Sequence, residues 1–180
     1  MVFVHLAEGF EEIEAITIVD LLRRANIEVK TVSVSSEKSV VGSHGIKIVA
    51  DLLFEEASYD KCSMIVLPGG MPGAKNLDEH NGLGDKIIEF NNQGKWLAAI
   101  CAAPLVLGHM GVLLGRDAVC YPGFEEELQG AEVKYDDVCI YENIITSRGP
   151  STAISFALEL IEVLSDEYEK DRIKKGLLLK

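Results

Sequence analysis

The chain has 180 residues, a net charge of −12 and 48% hydrophobic residues. This length fits one compact domain, expected over residues 1–180, and the apolar fraction excludes a disordered chain. Nucleic acid is excluded as a partner because a phosphate backbone needs clustered Lys and Arg, and the strongest basic group, Arg172-Ile173-Lys174-Lys175, sits among Glu167, Glu169 and Asp171.

Val2–Leu6 is an apolar run of strand length that meets Glu8 almost at once, without the basic start or long apolar stretch of a signal peptide. Phe10–Ala25 carries helical periodicity and Val29–Val34 alternates as a strand. Ser39–Ala50 holds a Gly42-Ser43-His44-Gly45 turn between β-rich flanks, which predicts a small appended hairpin. Met64–Leu67 is an apolar run halted by Pro68-Gly69-Gly70. Gly82–Asn92 reads as an amphipathic helix with Leu83, Ile87, Ile88 and Phe90 as its apolar positions. Trp96–Ile100 is another apolar run, leading straight into the helix formers of Ala102–Gly108.

Further on, Ala118–Cys120 predicts a short strand, Phe124–Leu128 a helical turn, and Val133–Tyr135 and Val138–Tyr141 edge strands. Ile144–Ser147 is one more strand. Ser151–Leu164 is a helix opened by Pro150, and Ser165–Leu178 a charged terminal helix. Continuous apolar strands separated by helices predict an α/β fold with a mostly parallel sheet covered on both faces. No window approaches the ~18 apolar residues of a membrane span, so a cytoplasmic protein without a membrane partner is expected. Cys62, Cys101, Cys120 and Cys139 form no C-x-x-C pair and read as free thiols in a reducing compartment.

Three places could carry chemistry. At about 100° per residue, Glu14 falls on the same stripe as Ile18, Leu21, Leu22 and Ala25, while Glu12 points roughly opposite. A carboxylate facing the core must be paired or protonated; the other reading is a first-turn Glu bent to solvent or capping backbone N–H groups. Cys101 sits where a buried strand meets a helix, beyond the carboxyl end of a strand, where open α/β sheets bind ligands. It is read either as a nucleophile whose thiolate the helix start stabilises or as a buried core thiol. The Pro68-Gly69-Gly70-Met71 turn should share that edge; it is either an ordinary tight turn or, with Ala102, a pair of backbone donors forming an oxyanion hole. His5, His44, His80 and His109 are none of them beside Cys101 in sequence, which leaves Glu14 as the thiol's natural partner.

Four ordered motifs then stand out: Leu6-Ala7-Glu8-Gly9-Phe10-Glu11-Glu12-Ile13-Glu14, Leu67-Pro68-Gly69-Gly70, Ala99-Ile100-Cys101-Ala102-Ala103-Pro104 and Thr146-Ser147-Arg148-Gly149-Pro150-Ser151-Thr152. Together they resemble the ThiJ/PfpI superfamily, most closely its YajL-like clade, which includes the Parkinsonism-associated deglycase. The resemblance covers almost the whole chain. It implies a flavodoxin-like three-layer sandwich, a homodimer, no cofactor and no metal. It implies Cys101 as an oxidation-prone nucleophile, Glu14 as the protonated acid bonded to its thiolate, and Gly70 and Ala102 as backbone donors. Glu11, Met71 and Tyr121 would line the pocket, with Arg148 and Pro150 approaching from the partner subunit. Tyr121-Pro122 stands where one branch has histidine–proline, and Tyr121 is read either as a hydrogen-bond donor or as a packing residue. Ala102 replaces the histidine of the protease-like branch, which argues against peptidase activity.

The resulting expectation is a stress-response enzyme of glyoxalase III or deglycase type. Its partner would be a small aldehyde or a glycated protein, and its thiol would be ionised at neutral pH. The alternative is a redox sensor or chaperone whose cysteine stops at the sulfinate.

Overall fold

The computed structural model describes residues 1–179. Its centre is a seven-stranded sheet. Strand β1 (Val2–Leu6) is buried at every position, as a strand covered on both faces must be, and the predicted apolar run coincides with it. It lies between β2 (Val29–Ser33) and β6 (Met64–Leu67), and both pairings are parallel. Outward from β6 come β7 (Trp96–Ile100), β11 (Ile144–Ser147) and the antiparallel edge strand β10 (Val138–Tyr141). The other edge is a two-residue strand, β5 (Leu52–Leu53), which no sequence pattern announced.

Helix α1 (Glu12–Arg24) packs against α5 (Ala153–Leu164), and α6 (Glu167–Gly176) packs on α5. Helices α2 (Gly73–Asp78), α3 (Asn81–Asn92) and α4 (Pro104–His109) form the other layer. The arrangement is the expected flavodoxin-like α/β sandwich, a mostly parallel sheet with helices on both faces. The predicted hairpin is present as β3 (Ser39–Val41) and β4 (Lys47–Val49), which pair only with each other. A second small pair, β8 (Asp117–Ala118) and β9 (Glu132–Val133), is parallel. Among the described residues no helix is long and apolar enough to cross a membrane.

Several local readings are corrected. Ile88 is 40% exposed, so the buried face of α3 is Leu83, Gly84, Ile87 and Phe90. Helix α4 begins at Pro104, because the chain turns through residues 101–103 before it coils. Ser151 lies in a single 3-10 turn, Pro150–Thr152, that precedes α5. Helix α2 was missed because a stretch as rich in Pro and Gly as Pro68–Gly73 reads as a loop, yet the helix opens at its last glycine.

The parallel register aligns the carboxyl ends of β1, β6, β7 and β11, with Leu67 beside Ala99 and Ser147 beside Ile100. From β1 the chain goes one way to β2 and the other way to β6 and β7, so the strand order reverses there. Such a reversal opens a crevice at the carboxyl edge. Residues Gly69, Cys101 and Arg148 all follow strands at this edge.

Candidate active site

Cys101 immediately follows β7. Its amide donates to the Ser147 carbonyl at 2.9 Å, and its carbonyl accepts from the Tyr121 amide at 2.8 Å. Pinned from both sides, it holds φ at +65°, a left-handed conformation that a side chain with a Cβ adopts only at a cost of about 1–3 kcal/mol. Such strain, over-determined by neighbours, turns the thiol out of the strand's run toward the sheet edge. The residue is 8% exposed, buried but not sealed.

Glu14 reaches the same point from α1 and is fully buried, so the inward-facing reading holds and the solvent-facing one fails. Its Oε2 accepts from the Gly69 amide at 2.8 Å, while Oε1 is shut away from solvent with no hydrogen-bond partner. It lies close enough to Cys101 for each group to shift the other's ionisation. Gly69 makes this meeting possible. A Cβ there would stand 2.6 Å from the Cys101 Cβ and 2.9 Å from Glu14 Oε2, so only glycine fits between acid and thiol. Gly70, at φ +89°, has the same restriction: a Cβ would lie 2.4 Å from the Glu11 amide. The Gly70 and Ala102 amides both favour charge on the Cys101 sulfur.

Electrostatics ties the pair together. Burial pushes the Glu14 carboxyl up to about 7 and the nearby Glu11 charge adds to this, while the Gly69 N–H and Cys101 pull back. Burial also pushes the Cys101 thiol up, to about 12, with the Glu14 charge as the second cause and the two amides opposing. This corrects the expectation of a thiol already ionised at neutral pH. Because the Glu14 charge is among the causes, the value belongs to a sulfur facing an ionised carboxylate. The first proton leaves the pair near pH 7 and the second far above it, so above neutrality the two groups hold one proton between them.

The other expected site residues divide. Tyr121, Arg148 and Pro150 line one cavity of about 300 Å³ with Pro122, Asp137, Gly149, Ser151 and Thr152. Arg148 follows Ser147, whose carbonyl accepts from the Cys101 amide, and Cys101 itself does not line this cavity. Glu11 and Met71 do not line this cavity. Met71 is 47% exposed, and Glu11 caps α1 through the Ile13 amide while its other oxygen accepts from the Ser43 hydroxyl at 3.3 Å.

One charged centre escaped the sequence. Glu12 is buried, not solvent-facing: it accepts from the His44 amide at 2.7 Å, the Ile46 amide, the Ser43 hydroxyl and His44 Nδ1 at 2.9 Å. The His44 contact and the backbone N–H groups outweigh burial and hold its carboxyl down at about 2. Glu11, Glu12 and His44 bring ligand-type atoms within 4.8 Å of one another, but the oxygens of Glu12 are already occupied by the chain's own donors. No spacing motif links Glu12 to a turn so far along the chain, and only the pairing of an acid with a Ser-His turn could have hinted at it.

The histidines are all committed elsewhere. His5 Nε2 meets the Tyr59 hydroxyl at 2.7 Å, His80 Nδ1 accepts from the Leu83 amide, and His109 lies between Asp78 and Glu127. Glu14 is therefore the acid–base group that meets Cys101. All four cysteines are free thiols.

A family model described as DJ-1/PfpI family matches residues 1–163. The chain is 33% identical over 174 residues to the Glutathione-independent glyoxalase DJR-1.2 of Caenorhabditis elegans, covering 96% of this chain and 92% of that protein. It is 38% identical to Protein DJ-1 homolog A of Arabidopsis thaliana across 99% of this chain but only 46% of that protein, so it spans about half the length of that relative. The solved structure of oxidized Toxoplasma gondii DJ-1 superposes with a TM-score of 0.95 at 41% identity, covering 99% of this chain and 97% of that one. Those matches run through every strand end that carries Gly69, Cys101 and Arg148, and on them the chain belongs to the DJ-1/PfpI family.

Proposed function

We propose that the protein is a cofactor-independent, cysteine-dependent enzyme of stress defence that converts small reactive dicarbonyls to 2-hydroxy acids. The observation that carries this reading is a buried carboxyl, pushed up to about 7 and with one oxygen unpartnered, set against a strained thiol flanked by two backbone donors. A group that titrates at the working pH is suited to take and return protons.

For methylglyoxal the steps follow from that pair. Ionised Glu14 takes the Cys101 proton as the sulfur attacks the aldehyde carbon. The amides of Gly70 and Ala102 hold the oxyanion, and Glu14 returns the proton to it, giving a hemithioacetal. Glu14 next removes the hydrogen from the former aldehyde carbon. Reprotonation at the neighbouring carbon leaves the thioester of lactate. Water cleaves the thioester, releasing lactate and restoring the thiol. An early glycation adduct of a protein amine presents the same carbon one step later, and its release would be deglycation. The relative from Caenorhabditis elegans carries a glyoxalase name, which supports the chemistry.

A homodimer in the cytoplasm is part of the proposal. Ile13, Ile16 and Ile154 are 58%, 46% and 39% exposed on the paired helices α1 and α5, an apolar face suited to a second copy. The redox-sensor reading is kept because a similar protein was solved in an oxidised state. There Glu14 would bond a sulfinate oxygen and no turnover would occur. Lactate formation from methylglyoxal by wild type, lost in Cys101→Ser, supports the enzyme. Selective oxidation of Cys101 by mild peroxide without any lactate formation supports the sensor and contradicts the enzyme.

A further inference from the structure

Three stretches of chain start beside Cys101 and converge on His109. Helix α4 begins just after the Cys101 turn and ends at His109. The Gly69-Gly70 turn leads into α2, whose last residue is Asp78, and the Ala74 amide ties the two by donating to the Gly70 carbonyl at 2.8 Å. Tyr121, whose amide holds the Cys101 carbonyl, opens the segment that reaches the 3-10 turn Glu125–Glu127. At the far end, His109 Nδ1 lies 2.9 Å from Asp78 Oδ2 and Nε2 lies 2.9 Å from Glu127 Oε2. Among the described residues neither acid has another ion-pair partner. Gly108 builds the approach into the fold. A Cβ there would stand 2.3 Å from the Glu127 carbonyl oxygen and 2.8 Å from the Gln129 amide nitrogen, so only glycine lets the returning segment lie against α4.

The chemistry of the ring fixes its charge. Each nitrogen faces a carboxylate oxygen, and a carboxylate only accepts, so two bonds require two N–H groups, which only the imidazolium has. A neutral ring keeps one bond and turns a lone pair on the other oxygen. Glu127 is the acid released, because its side chain is 50% exposed against 21% for Asp78 and water replaces what it loses. Partial burial pulls the His109 pKa down, but the hydrogen bonds and charges of Asp78 and Glu127 outweigh it and raise it above 6.5. The other charged groups on the elements packed here are Glu125 and Glu126 beside Glu127, Asp85 across the cavity it shares with Asp78 and Met110, and Lys75 and Glu79, which pair with each other.

We propose that His109 is a positioning residue, a cationic staple that holds the Gly70 and Tyr121 segments around the Cys101 turn and releases the Tyr121 segment when the ring loses its proton. It rests on the proposed enzyme for its effect on turnover, though not for the staple itself. With Glu127 released, the Tyr121 amide holds the Cys101 carbonyl less firmly, and the left-handed backbone at Cys101, which its neighbours over-determine, relaxes. The stability that the staple supplies is complete below 6.5 and is lost as pH rises through the raised value.

The deciding variant is Glu127→Gln. A glutamine amide accepts from an imidazolium and donates to a neutral imidazole, so here the staple stays shut at either charge. Protection of the Tyr121 amide from hydrogen exchange, corrected for the intrinsic rise of exchange with pH, is compared at about pH 6 and about pH 9, on either side of a raised histidine. In wild type it should fall by about 3- to 10-fold, between the scales of an exposed ion pair and a charge-assisted hydrogen bond. It should stay level in Glu127→Gln and be low at both pH values in His109→Ala. The kcat for methylglyoxal, taken relative to Glu127→Gln, should drop by the same factor over that range with KM unchanged. Equal protection at both pH values in wild type, or the same decline in Glu127→Gln, overturns the staple. A pH-dependent protection with a constant kcat ratio overturns the positioning role. If neither protein forms lactate, the enzymatic reading falls and the exchange data decide the staple alone.

Discussion

Glu12 and Glu14 leave the same turn of the same helix two residues apart, yet the fold drives them in opposite directions. Glu12 is wrapped by donors from the hairpin turn, Ser43, His44 and Ile46, and its carboxyl is held down at about 2. Glu14 meets one backbone donor and a thiol inside the sheet edge, and burial lifts it to about 7. Burial is common to both, so burial alone decides nothing. The number of donors that arrive with it does. Glu12 is a fastener that stays ionised; Glu14 is poised to exchange a proton, and the poise costs stability.

The comparison breaks most visibly in activity. Glu14→Gln keeps the shape and removes the proton exchange, so lactate formation from methylglyoxal should fall by about 10²–10⁴. The equivalent change at Glu12, Glu12→Gln, should leave the chemistry largely in place, and an equal loss in both variants would erase the distinction. Gly69→Ala tests the same pair without touching either acid. Its new methyl drives Cys101 and Glu14 apart, and activity should fall well beyond any loss of folded protein, measured by lactate formed per folded molecule.

Stability separates the two acids by sign. A carboxyl raised in the folded state carries no penalty below its unfolded value of 4.5, and a growing one as pH rises from there to about 7. Glu14→Gln should therefore match wild type in urea at low pH and exceed it above neutrality by about 1–3 kcal/mol. A carboxyl held low does the reverse. The stability Glu12 supplies is complete above 4.5 and is lost as pH falls toward about 2. Because Glu12 sits at the rim, solvent trims this to about 1–2 kcal/mol. Glu12→Gln should accordingly be less stable than wild type at neutral pH, and the gap should close in acid. The smallest effect is at His44, whose pKa the Glu12 hydrogen bond and the Glu11 and Glu12 charges raise; its bond to Glu12 weakens as pH climbs through that raised value. Protection of the Ser43–Ile46 amides from hydrogen exchange should drop over the same range.

The two acids also differ in how readable they were. Glu14 could be found from one helix, because the periodicity that puts Ile18, Leu21 and Leu22 in the core puts Glu14 there too. Glu12 could not. The wheel sends it away from the core, and what covers it is a turn that reaches it only through the tertiary fold. The strands β1, β6 and β7 were legible to the residue because each is an almost wholly buried, continuous apolar run. The start of α4 was not, since the left-handed backbone at Cys101 is imposed by Ser147 and Tyr121 from other parts of the chain.

The shared proton is tested most directly by the pH dependence of Cys101 alkylation with iodoacetamide, run on wild type and Glu14→Gln. With Glu14 in place the rate should climb through an inflection near pH 7, where the pair loses its first proton. Without it, a buried thiol ionising alone should move that inflection above the ordinary thiol value of 9.0 and slow the reaction at neutral pH. Superimposable profiles from the two proteins would show that acid and sulfur titrate independently, and would contradict the account.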